Sequence, residues 1–268
     1  MMVRILGIVF SVALSAAAKA EEIKVAVTTS FENSGLSDVL LPAIEQDLGL
    51  DVQLLVVGTG QALRLGEAGD VDAILVHSRA AEEAFVDAGF GTHRREIMYN
   101  DFIFIGPEAD PAGIAASSSA AEALRQIAAS EPAFVSRGDD SGTHKKELSL
   151  WSEAGQDAAT FGNWYRQVGA GMGASLNTAA GLDAYIIADR ASWLNFGNKA
   201  GLALLYSGDP ALFNQYAFLP VNPEKHAHVR NDLALQLEEW LVSPRAEELI
   251  NTYKINGETL FVFNAAEE

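Results

Sequence analysis

Residues 52–63 read VQLLVVGTGQAL, a stretch in which an apolar run ends at two glycines that flank a threonine. The run at 54–57 contains no polar residue, which predicts a β-strand buried on both faces. Gly58 and Gly60 predict a tight turn after the strand, and a helix is predicted from about Gln61. A strand that passes through a tight turn into a helix is the repeating unit of a parallel α/β sheet.

The same alternation of strand and helix continues on both sides of this stretch. Residues 23–27 predict a strand and residues 36–47 a helix before it, while residues 72–77 predict a strand and residues 78–88 a helix after it. The resulting order, β-α-β-α-β, predicts neighbouring parallel strands that are joined by right-handed crossovers.

A second α/β run follows the apolar strand predicted at 102–105. Its predicted strands lie at 133–136 and 185–188, and its predicted helices lie at 120–130, 141–151, 174–182 and from Ala191 onward. The chain then returns through a strand at 217–221 and ends in helices at 232–241 and 244–253. We therefore predict an α/β protein of two lobes, each a mostly parallel sheet flanked by helices. Residues 21–105 with 217–268 would form lobe 1 and residues 106–216 lobe 2, with a ligand in the cleft between them.

The first twenty residues have the pattern of a secretory signal peptide. Arg4 precedes an apolar stretch at 5–18, and Ala18-Lys19-Ala20 fits the small-x-small rule for cleavage. The alternative is a membrane anchor, but a helix needs about 20 apolar residues to span a bilayer, and this stretch is shorter. We predict cleavage after Ala20. The chain contains no cysteine that could carry a lipid, and an exported protein without an anchor stays near the cell only inside an outer membrane, which predicts a periplasmic location.

The formal charge of the chain is −18, and removal of Arg4 and Lys19 with the signal peptide would take it to −20. Such a field repels nucleic acids and anionic membrane surfaces, which excludes both as expected partners. It also opposes the approach of small anions. An anion site in this chain must therefore consist of local dipoles and one or two fixed cations.

Three predicted strand-to-helix junctions are rich in hydrogen-bond donors. A helix start leaves backbone N–H groups unsatisfied and carries a partial positive charge, so that it binds anions without a net cationic charge. Taken singly, each junction is also compatible with an ordinary helix cap or a tight turn, and this simpler interpretation is favoured for the first. The junctions are Thr28-Thr29-Ser30, Gly58-Thr59-Gly60-Gln61 and the run from Ser136 to Thr143.

The third junction contains an arginine, Arg137, between the strand and the helix start. A guanidinium offers a planar fork of donors that suits oxyanions, and Asp139 and Asp140 are predicted to orient that fork. The alternative is a structural ion pair between Arg137 and Asp139, with Ser141 as a simple helix cap. The first interpretation predicts that two hydroxyls and a closely approaching backbone complete the site, from Ser141, Gly142 and Thr143.

Nine short segments between Val25 and Leu194 carry a resemblance to a known family. They read TTS (28–30), NSGL (33–36), VGTGQAL (57–63), GDVD (69–72), VH (76–77), MYNDF (98–102), SRGDDSGTH (136–144), GMGASL (171–176) and DRASWL (189–194). This series resembles the tungstate-binding proteins of tungstate ABC importers. The resemblance implies a two-lobed periplasmic-binding-protein fold of type II and a ligand held by hydroxyls, backbone amides and an arginine.

Carried over by position, the resemblance implies that Thr29, Ser30, Thr59, Arg137 and Thr143 contact the oxyanion. Val27 stands where the family commonly has a further threonine, so one hydroxyl of the family pattern is missing. The implied function is a monomeric periplasmic receptor that captures tungstate and delivers it to the membrane permease of an ABC importer. No cofactor or metal site is expected, since tungsten would be bound only as its oxyanion.

Other oxyanions remain as alternatives: molybdate, phosphate and sulfate. The segment from Arg137 to Thr143 is also similar to the phosphate-binding proteins of phosphate importers, in which a carboxylate at the position of Asp139 accepts the proton of hydrogenphosphate. The remaining segments favour the tungstate group.

A secreted hydrolase is the alternative from a different class. Ser141 and His144 lie one helical turn apart, but no G-x-S-x-G motif surrounds Ser141, and this spacing does not produce the geometry of a catalytic triad. The histidines form no H-E-x-x-H pair, and the glycines after the strands lack the full spacing of a dinucleotide site. A secreted module without a ligand would not need three donor-rich junctions. We therefore expect no enzymatic activity and no catalytic residues.

The glycine-rich segment at 169–175 leaves two interpretations open. Its glycines let a helix start approach the cleft closely, which would make Ser175 an oxyanion contact. The alternative is a flexible loop between the lobes.

Overall fold

The computed structural model describes residues 20–139 and 141–265. Asp140 and nearly all of the predicted signal peptide therefore lie outside the described residues. The secondary structure begins with β1 (Glu21–Thr28), α1 (Thr29–Asn33), α2 (Ser37–Leu48), β2 (Leu50–Val57), α3 (Thr59–Ala68), β3 (Ala73–Val76), α4 (Arg79–Asp87) and β4 (Arg95–Pro107). It continues with α5 (Ala120–Ser130), β5 (Phe134–Ser136), α6 (Gly142–Glu153), β6 (Tyr165–Gln167), α7 (Met172–Leu182), β7 (Tyr185–Asp189), α8 (Arg190–Asn195) and β8 (Leu202–Tyr206).

The last part of the chain contains β9 (Phe213–Pro220), α9 (Asn231–Leu241) and α10 (Pro244–Thr252). It ends with a small hairpin of β10 (Lys254–Ile255) and β11 (Glu258–Thr259), followed by β12 (Val262–Phe263). In the part of the chain that the structure describes, no helix has the length and apolar character that a membrane crossing requires.

The first sheet has the strand order β2-β1-β3-β9-β4. β1 pairs in parallel with both β2 and β3, as the β-α-β-α-β order predicts. β9 comes from late in the sequence, lies between β3 and β4, and runs antiparallel to both. In the second sheet, β5 pairs in parallel with β6 and β7, and β4 pairs antiparallel with β7 and β8. The predicted α/β class is confirmed, and both sheets are mixed because β4 and β9 oppose the parallel strands.

A single strand, β4, belongs to both sheets. Asp101 pairs with Phe213 of β9 in the first sheet, and the next residue, Phe102, pairs with Asp189 of β7 in the second. The segment at 95–101 was not predicted as strand, because polar residues interrupt it and leave no apolar run. It is nevertheless paired with β9 on one side and with β12 on the other. The chain thus crosses from one sheet to the other without a loop. The lobe boundaries at 105/106 and 216/217 stay a prediction.

Alternate residues of the central strands pack into different hydrophobic clusters. In β1, Val25 and Val27 face one cluster and Ala26 faces another. In β4, Phe104 and Ile105 likewise point into opposite clusters of the second sheet. This is the period-two alternation of a strand covered by helices on both faces.

The stretch that predicts the fold, β2, occupies an edge of the first sheet. Its run at 54–57 was predicted to be buried on both faces, but three of these four residues are only partly buried, and Val56 is 39% exposed. The reason is its place in the sheet, since no further strand covers its outer side. Its neighbours α2 and α3 end at Gly49 and Gly69, whose left-handed φ angles of 67° and 74° let the chain turn back sharply.

Candidate functional site

A cavity of about 580 Å³ is lined by residues of both sheets. Five helices of the described chain begin at its wall: α1, α3, α6, α7 and α8. Each helix start directs its partial positive charge and its first N–H groups toward this end of the fold. α3 and α7 follow Gly58 and Gly171 and have no side-chain cap, so no side chain satisfies the first N–H donors of these two helices.

Seven of the eight predicted oxyanion contacts line this cavity. The structure therefore brings together three junctions, of which the first and the last are more than 100 residues apart in the chain. These seven residues are Thr29, Ser30, Thr59, Arg137, Ser141, Gly142 and Thr143.

Ser175 is not among the residues that line the cavity. Its side chain is fully buried in α7, and its hydroxyl donates to the backbone carbonyls of Ala170 and Gly171 at 3.2 Å each. The start of the same helix does reach the cavity, through Met172. The glycine-rich segment is thus a helix start at the wall, preceded by the strand β6. Ser175 lies behind this wall and stabilises the helix start through its hydrogen bonds to the backbone.

Arg137 is held by Asp139. Its Nε donates to Asp139 Oδ2 at 3.1 Å, and its Nη2 forms a second hydrogen bond to the same oxygen. The other carboxylate oxygen, Oδ1, accepts the backbone N–H of Ser141 at 3.2 Å. Partial burial opposes ionisation of Asp139, but the hydrogen bonds from Ser141 and Arg137 outweigh it, so the pKa of Asp139 lies below its usual value. Both oxygens of this carboxylate are thus engaged by the junction itself. Asp140, the second predicted orienting residue, lies outside the described residues.

The hydroxyl of Ser141 caps α6 by accepting the backbone N–H of His144 at 3.3 Å. A hydroxyl that accepts from the backbone keeps its own proton for another partner. The capping role and a ligand contact are therefore compatible for Ser141. Thr143 is nearly buried, with 9% of its surface exposed, and lies in the first turn of the same helix.

The hydroxyl of Ser30 lies at the centre of a polar cluster. It is 3.0 Å from Thr28 Oγ1, 3.0 Å from His77 Nε2 and 3.2 Å from the hydroxyl of Tyr216. His77 follows the end of β3, and its ring packs on that of Tyr216 with centroids 4.7 Å apart. Burial lowers the pKa of His77 to about 4, so its imidazole is neutral at physiological pH.

Among the described residues of the wall, Arg137 alone carries a permanent positive charge, and Asp189 adds a carboxylate. Asp189 Oδ1 caps α8 by accepting the backbone N–H of Ser192 at 2.8 Å. The remaining polar lining is neutral and consists of hydroxyls, amides, the imidazole of His77 and backbone groups. Such a wall can bind an anion through many donors and one cation.

Two asparagines of the crossing strands also contribute to the wall, and the sequence analysis assigned them no role. Asn100 of β4 and Asn214 of β9 are buried, and Asn214 Nδ2 donates to Asn100 Oδ1 at 2.8 Å. Beside them, Arg190 and Asp101 form a bidentate ion pair, with Nε–Oδ1 and Nη2–Oδ2 distances of 2.6 Å. This pair connects α8 to β4 at the point where β4 changes sheets.

Several further wall residues were not predicted as contacts. His77, Asn100, Phe102 and Asp189 all lie in segments that carry the family resemblance, so the segments themselves were the available signal. Asn214 lies outside those segments. Across residues 20–139 and 141–265, no group of three or more His, Asp or Glu side chains is placed to hold a metal ion.

Comparison with known proteins identifies the family. The chain matches the model of the PBP superfamily domain over residues 14–245. It is 45% identical over 245 residues to the tungstate-binding protein TupA of Peptoclostridium acidaminophilum, which covers 90% of this chain and 85% of the relative. It is 36% identical to the tungstate-binding protein TupA of Campylobacter jejuni, over 88% of each chain.

Solved structures agree with these relatives. The tungstate-binding protein TupA from Desulfovibrio alaskensis G20 superposes with a TM-score of 0.89 at 45% identity, over 92% of this chain and 100% of that chain. A tungstate ABC transporter structure from Geobacter sulfurreducens superposes with a TM-score of 0.75 at 47% identity, over 87% of this chain and 99% of that chain. The resemblance inferred from the nine segments is confirmed. This chain belongs to the PBP superfamily and, within it, to the family of the TupA tungstate-binding proteins.

Proposed function

We propose that this protein is the periplasmic receptor of an ABC importer and captures tungstate in the cavity described above. The observation that carries the proposal is the position of Arg137 at a wall of helix starts, in a chain whose formal charge is −18. A global field of this sign disfavours anions, so the wall itself must supply the attraction. The function of the TupA relatives agrees with this reading.

The donors of the wall suit a fully ionised tetrahedral anion. We propose that Thr29, Ser30, Thr59 and Thr143 donate through hydroxyls or backbone N–H groups and that Arg137 supplies the cation. Ser141 and Gly142 add donors at the start of α6. Helix starts bind anions with their N–H groups and partial charge, and a guanidinium binds oxyanions with its planar fork.

Phosphate is disfavoured by the orientation of Asp139. Hydrogenphosphate carries a proton and gains from an acceptor that faces it, but Asp139 directs one oxygen to Arg137 and the other to Ser141 N–H. Molybdate has the same charge as tungstate and nearly the same size, so it is the competitor that this wall is least able to reject.

The remaining parts of the proposal concern the setting of the receptor. We propose that residues 1–20 are removed after Ala20 and that the protein acts as a free monomer in the periplasm. Its lobes, residues 21–105 with 217–268 and residues 106–216, would close on the ligand and present it to the membrane permease. We propose no catalytic role for this site.

Calorimetric titration of the purified protein with tungstate, molybdate, sulfate and phosphate tests the proposal. We expect tungstate to bind most tightly and molybdate next, because the two have the same charge and nearly the same size. Sulfate, which is smaller, and phosphate, which retains a proton, are expected to bind weakly. No binding of tungstate at high excess, or a preference for phosphate, would contradict the proposed function.

A further inference from the structure

The Ser30 hydroxyl has three polar neighbours, as many as its one proton and two lone pairs can serve, so that a bound ligand would be a fourth partner. Thr28 Oγ1, His77 Nε2 and the Tyr216 hydroxyl all lie within 3.2 Å of Ser30 Oγ, and Ser30 also lines the cavity. A hydroxyl has one proton to donate and two lone pairs to accept with. The direction of that single proton therefore depends on which of the three neighbours donate a hydrogen bond to Ser30 and which accept one.

A fully ionised oxyanion can only accept hydrogen bonds. Ser30 contributes to its binding only if the Ser30 proton points into the cavity, because an oxygen lone pair facing an oxyanion is repelled. The other polar neighbours of Ser30 must then donate a hydrogen bond to its Oγ or form no hydrogen bond with it. The Tyr216 hydroxyl can do so, since burial raises the pKa of Tyr216 to about 12 and keeps its proton in place.

His77 is the neighbour whose role, as donor or acceptor, depends on its tautomer. Its ring is neutral at physiological pH, so only one of its two nitrogens carries a proton. With Nε2 unprotonated, the ring would accept the Ser30 proton and turn it away from the cavity. With Nε2 protonated, the ring donates to Ser30 Oγ at 3.0 Å and leaves the Ser30 proton for the ligand.

We propose that His77 is a positioning residue of the oxyanion site, whose Nε2–H donates to Ser30 and commits the Ser30 hydroxyl to act as a donor toward the bound anion. The inference rests on the proposed function and deepens it. A site in which the Ser30 hydroxyl always donates favours fully ionised oxyanions. If a protonated oxyanion pointed its proton at Ser30, that proton and the Ser30 proton would repel each other.

The ring is held where this role requires it. It packs at a tilt against Tyr216, a fully buried side chain of β9, with the ring planes 52° apart. The backbone of His77 itself and the Asn214 side chain of β9 also interact with the ring. The Asn214 amide is itself held by its hydrogen bond to Asn100. His77 therefore connects the start of α1 to the strand that crosses beside the cavity.

A double-mutant cycle between His77 and Ser30 tests the inference, with tungstate affinity as the readout. His77→Phe keeps the aromatic packing against Tyr216 and removes both ring nitrogens, and we expect it to weaken binding about tenfold. In the Ser30→Ala background the same change is expected to have less than about a twofold effect, since the hydroxyl it acts through is gone. His77→Gln places an amide donor near the position of Nε2 and is expected to recover most of the loss.

A purely structural role for His77 makes the opposite prediction. In that case His77→Phe would weaken binding by the same factor with and without the Ser30 hydroxyl, and His77→Gln would not help. Equal factors in the two backgrounds would overturn the inference while leaving the proposed function intact. A wild-type protein that binds no tungstate would overturn the proposed function, and the inference with it.

The tautomer can be read directly in the wild-type protein, without any variant. Nitrogen NMR of labelled imidazole rings separates protonated from unprotonated nitrogens, and His77→Phe identifies the signal by its loss. With tungstate bound, we expect Nε2 of His77 to carry the proton and Nδ1 to carry none. A ring with the proton on Nδ1 alone in the bound state would contradict the inference.

Discussion

The guanidinium of Arg137 is the one fixed cation among the described residues of the cavity wall. A hydrogen bond to a charged group contributes about 1.5–3 kcal/mol, so Arg137→Ala is expected to weaken tungstate binding at least about tenfold. Arg137→Lys should restore only part of the loss, because it keeps the charge and loses the fork. Calorimetry measures both, and Arg125→Ala, at an exposed position of α5, is the matched control. Wild-type affinity in Arg137→Ala would show that the arginine serves only the fold.

The carboxylate of Asp139 accepts hydrogen bonds from Arg137 and from the backbone N–H of Ser141. We expect Asp139→Asn to weaken tungstate binding only a few-fold, through a less firmly oriented Arg137, and to leave the preference over phosphate unchanged. Competitive titration of both anions against the wild type and the variant measures this. A wild-type preference for phosphate that disappears in Asp139→Asn would instead identify Asp139 as the acceptor of a hydrogenphosphate proton.

At the scale of elements, the ion pair between Asp101 and Arg190 joins β4 to α8 where β4 passes between the sheets. Both side chains are less than a fifth exposed, and removal of one partner of a buried pair costs about 3–5 kcal/mol. A destabilisation of 1 kcal/mol lowers Tm by about 2–4 °C in a protein near this size. We therefore expect Asp101→Asn to lower Tm by roughly 5 °C or more.

Calorimetric melting of Asp101→Asn beside Glu83→Gln provides the comparison. Glu83 pairs with Arg79 on the exposed surface of α4, and such pairs contribute less than about 1 kcal/mol. Equal Tm shifts in the two variants would contradict a structural role for the Asp101–Arg190 pair.

Helix α6, whose start forms part of the wall, contains a buried acid, Glu147. Its carboxylate accepts hydrogen bonds from the Tyr165 hydroxyl at 2.6 Å and from Trp151 Nε1 at 3.3 Å. Burial raises the pKa of Glu147 from 4.5 to about 7, although these hydrogen bonds oppose the shift. Because the folded protein holds this proton more tightly than the unfolded chain, Glu147 reduces stability progressively as the pH rises from about 4.5 to 7, and no further above that.

Glu147→Gln removes this titration. We expect the stability of the variant relative to wild type to increase between pH 5 and pH 7.5, by up to about 3 kcal/mol in free energy of unfolding. Urea unfolding at several pH values measures the difference. A difference that is the same at pH 5 and pH 7.5 would mean that Glu147 does not change its protonation state in this range.

At the scale of the whole molecule, the charge of −18 opposes every approaching anion. Salt screens this long-range field, and the Debye length of the solution falls to about 8 Å at physiological ionic strength. We expect the association rate constant for tungstate to rise as the ionic strength increases from low to physiological values. Stopped-flow tryptophan fluorescence measures the rate. A rate that falls with salt would show that the local field of Arg137 and the helix starts governs the approach of the anion.

The sequence by itself predicted most of the elements and proposed the residues of the candidate site. The apolar run that ends at Gly58 and Gly60 predicts a strand followed by a helix, and the structure has β2 and α3 there. Arg137 with its flanking donors predicts an anion site, and the acidic composition requires that site to be local. These features depend on contacts within a few residues, namely helix periodicity, tight turns and capping hydrogen bonds, and such contacts can be predicted from neighbouring residues.

Only the tertiary structure decided which distant residues meet. β9 lies between β3 and β4, and this insertion brings Tyr216 against Ser30 and His77, and Asn214 against Asn100. Strand order also made β2 an edge strand and let polar residues at 95–101 continue as strand, against the local pattern. The physical reason is that strand pairing joins segments more than 100 residues apart, and no local preference encodes which segment pairs with which.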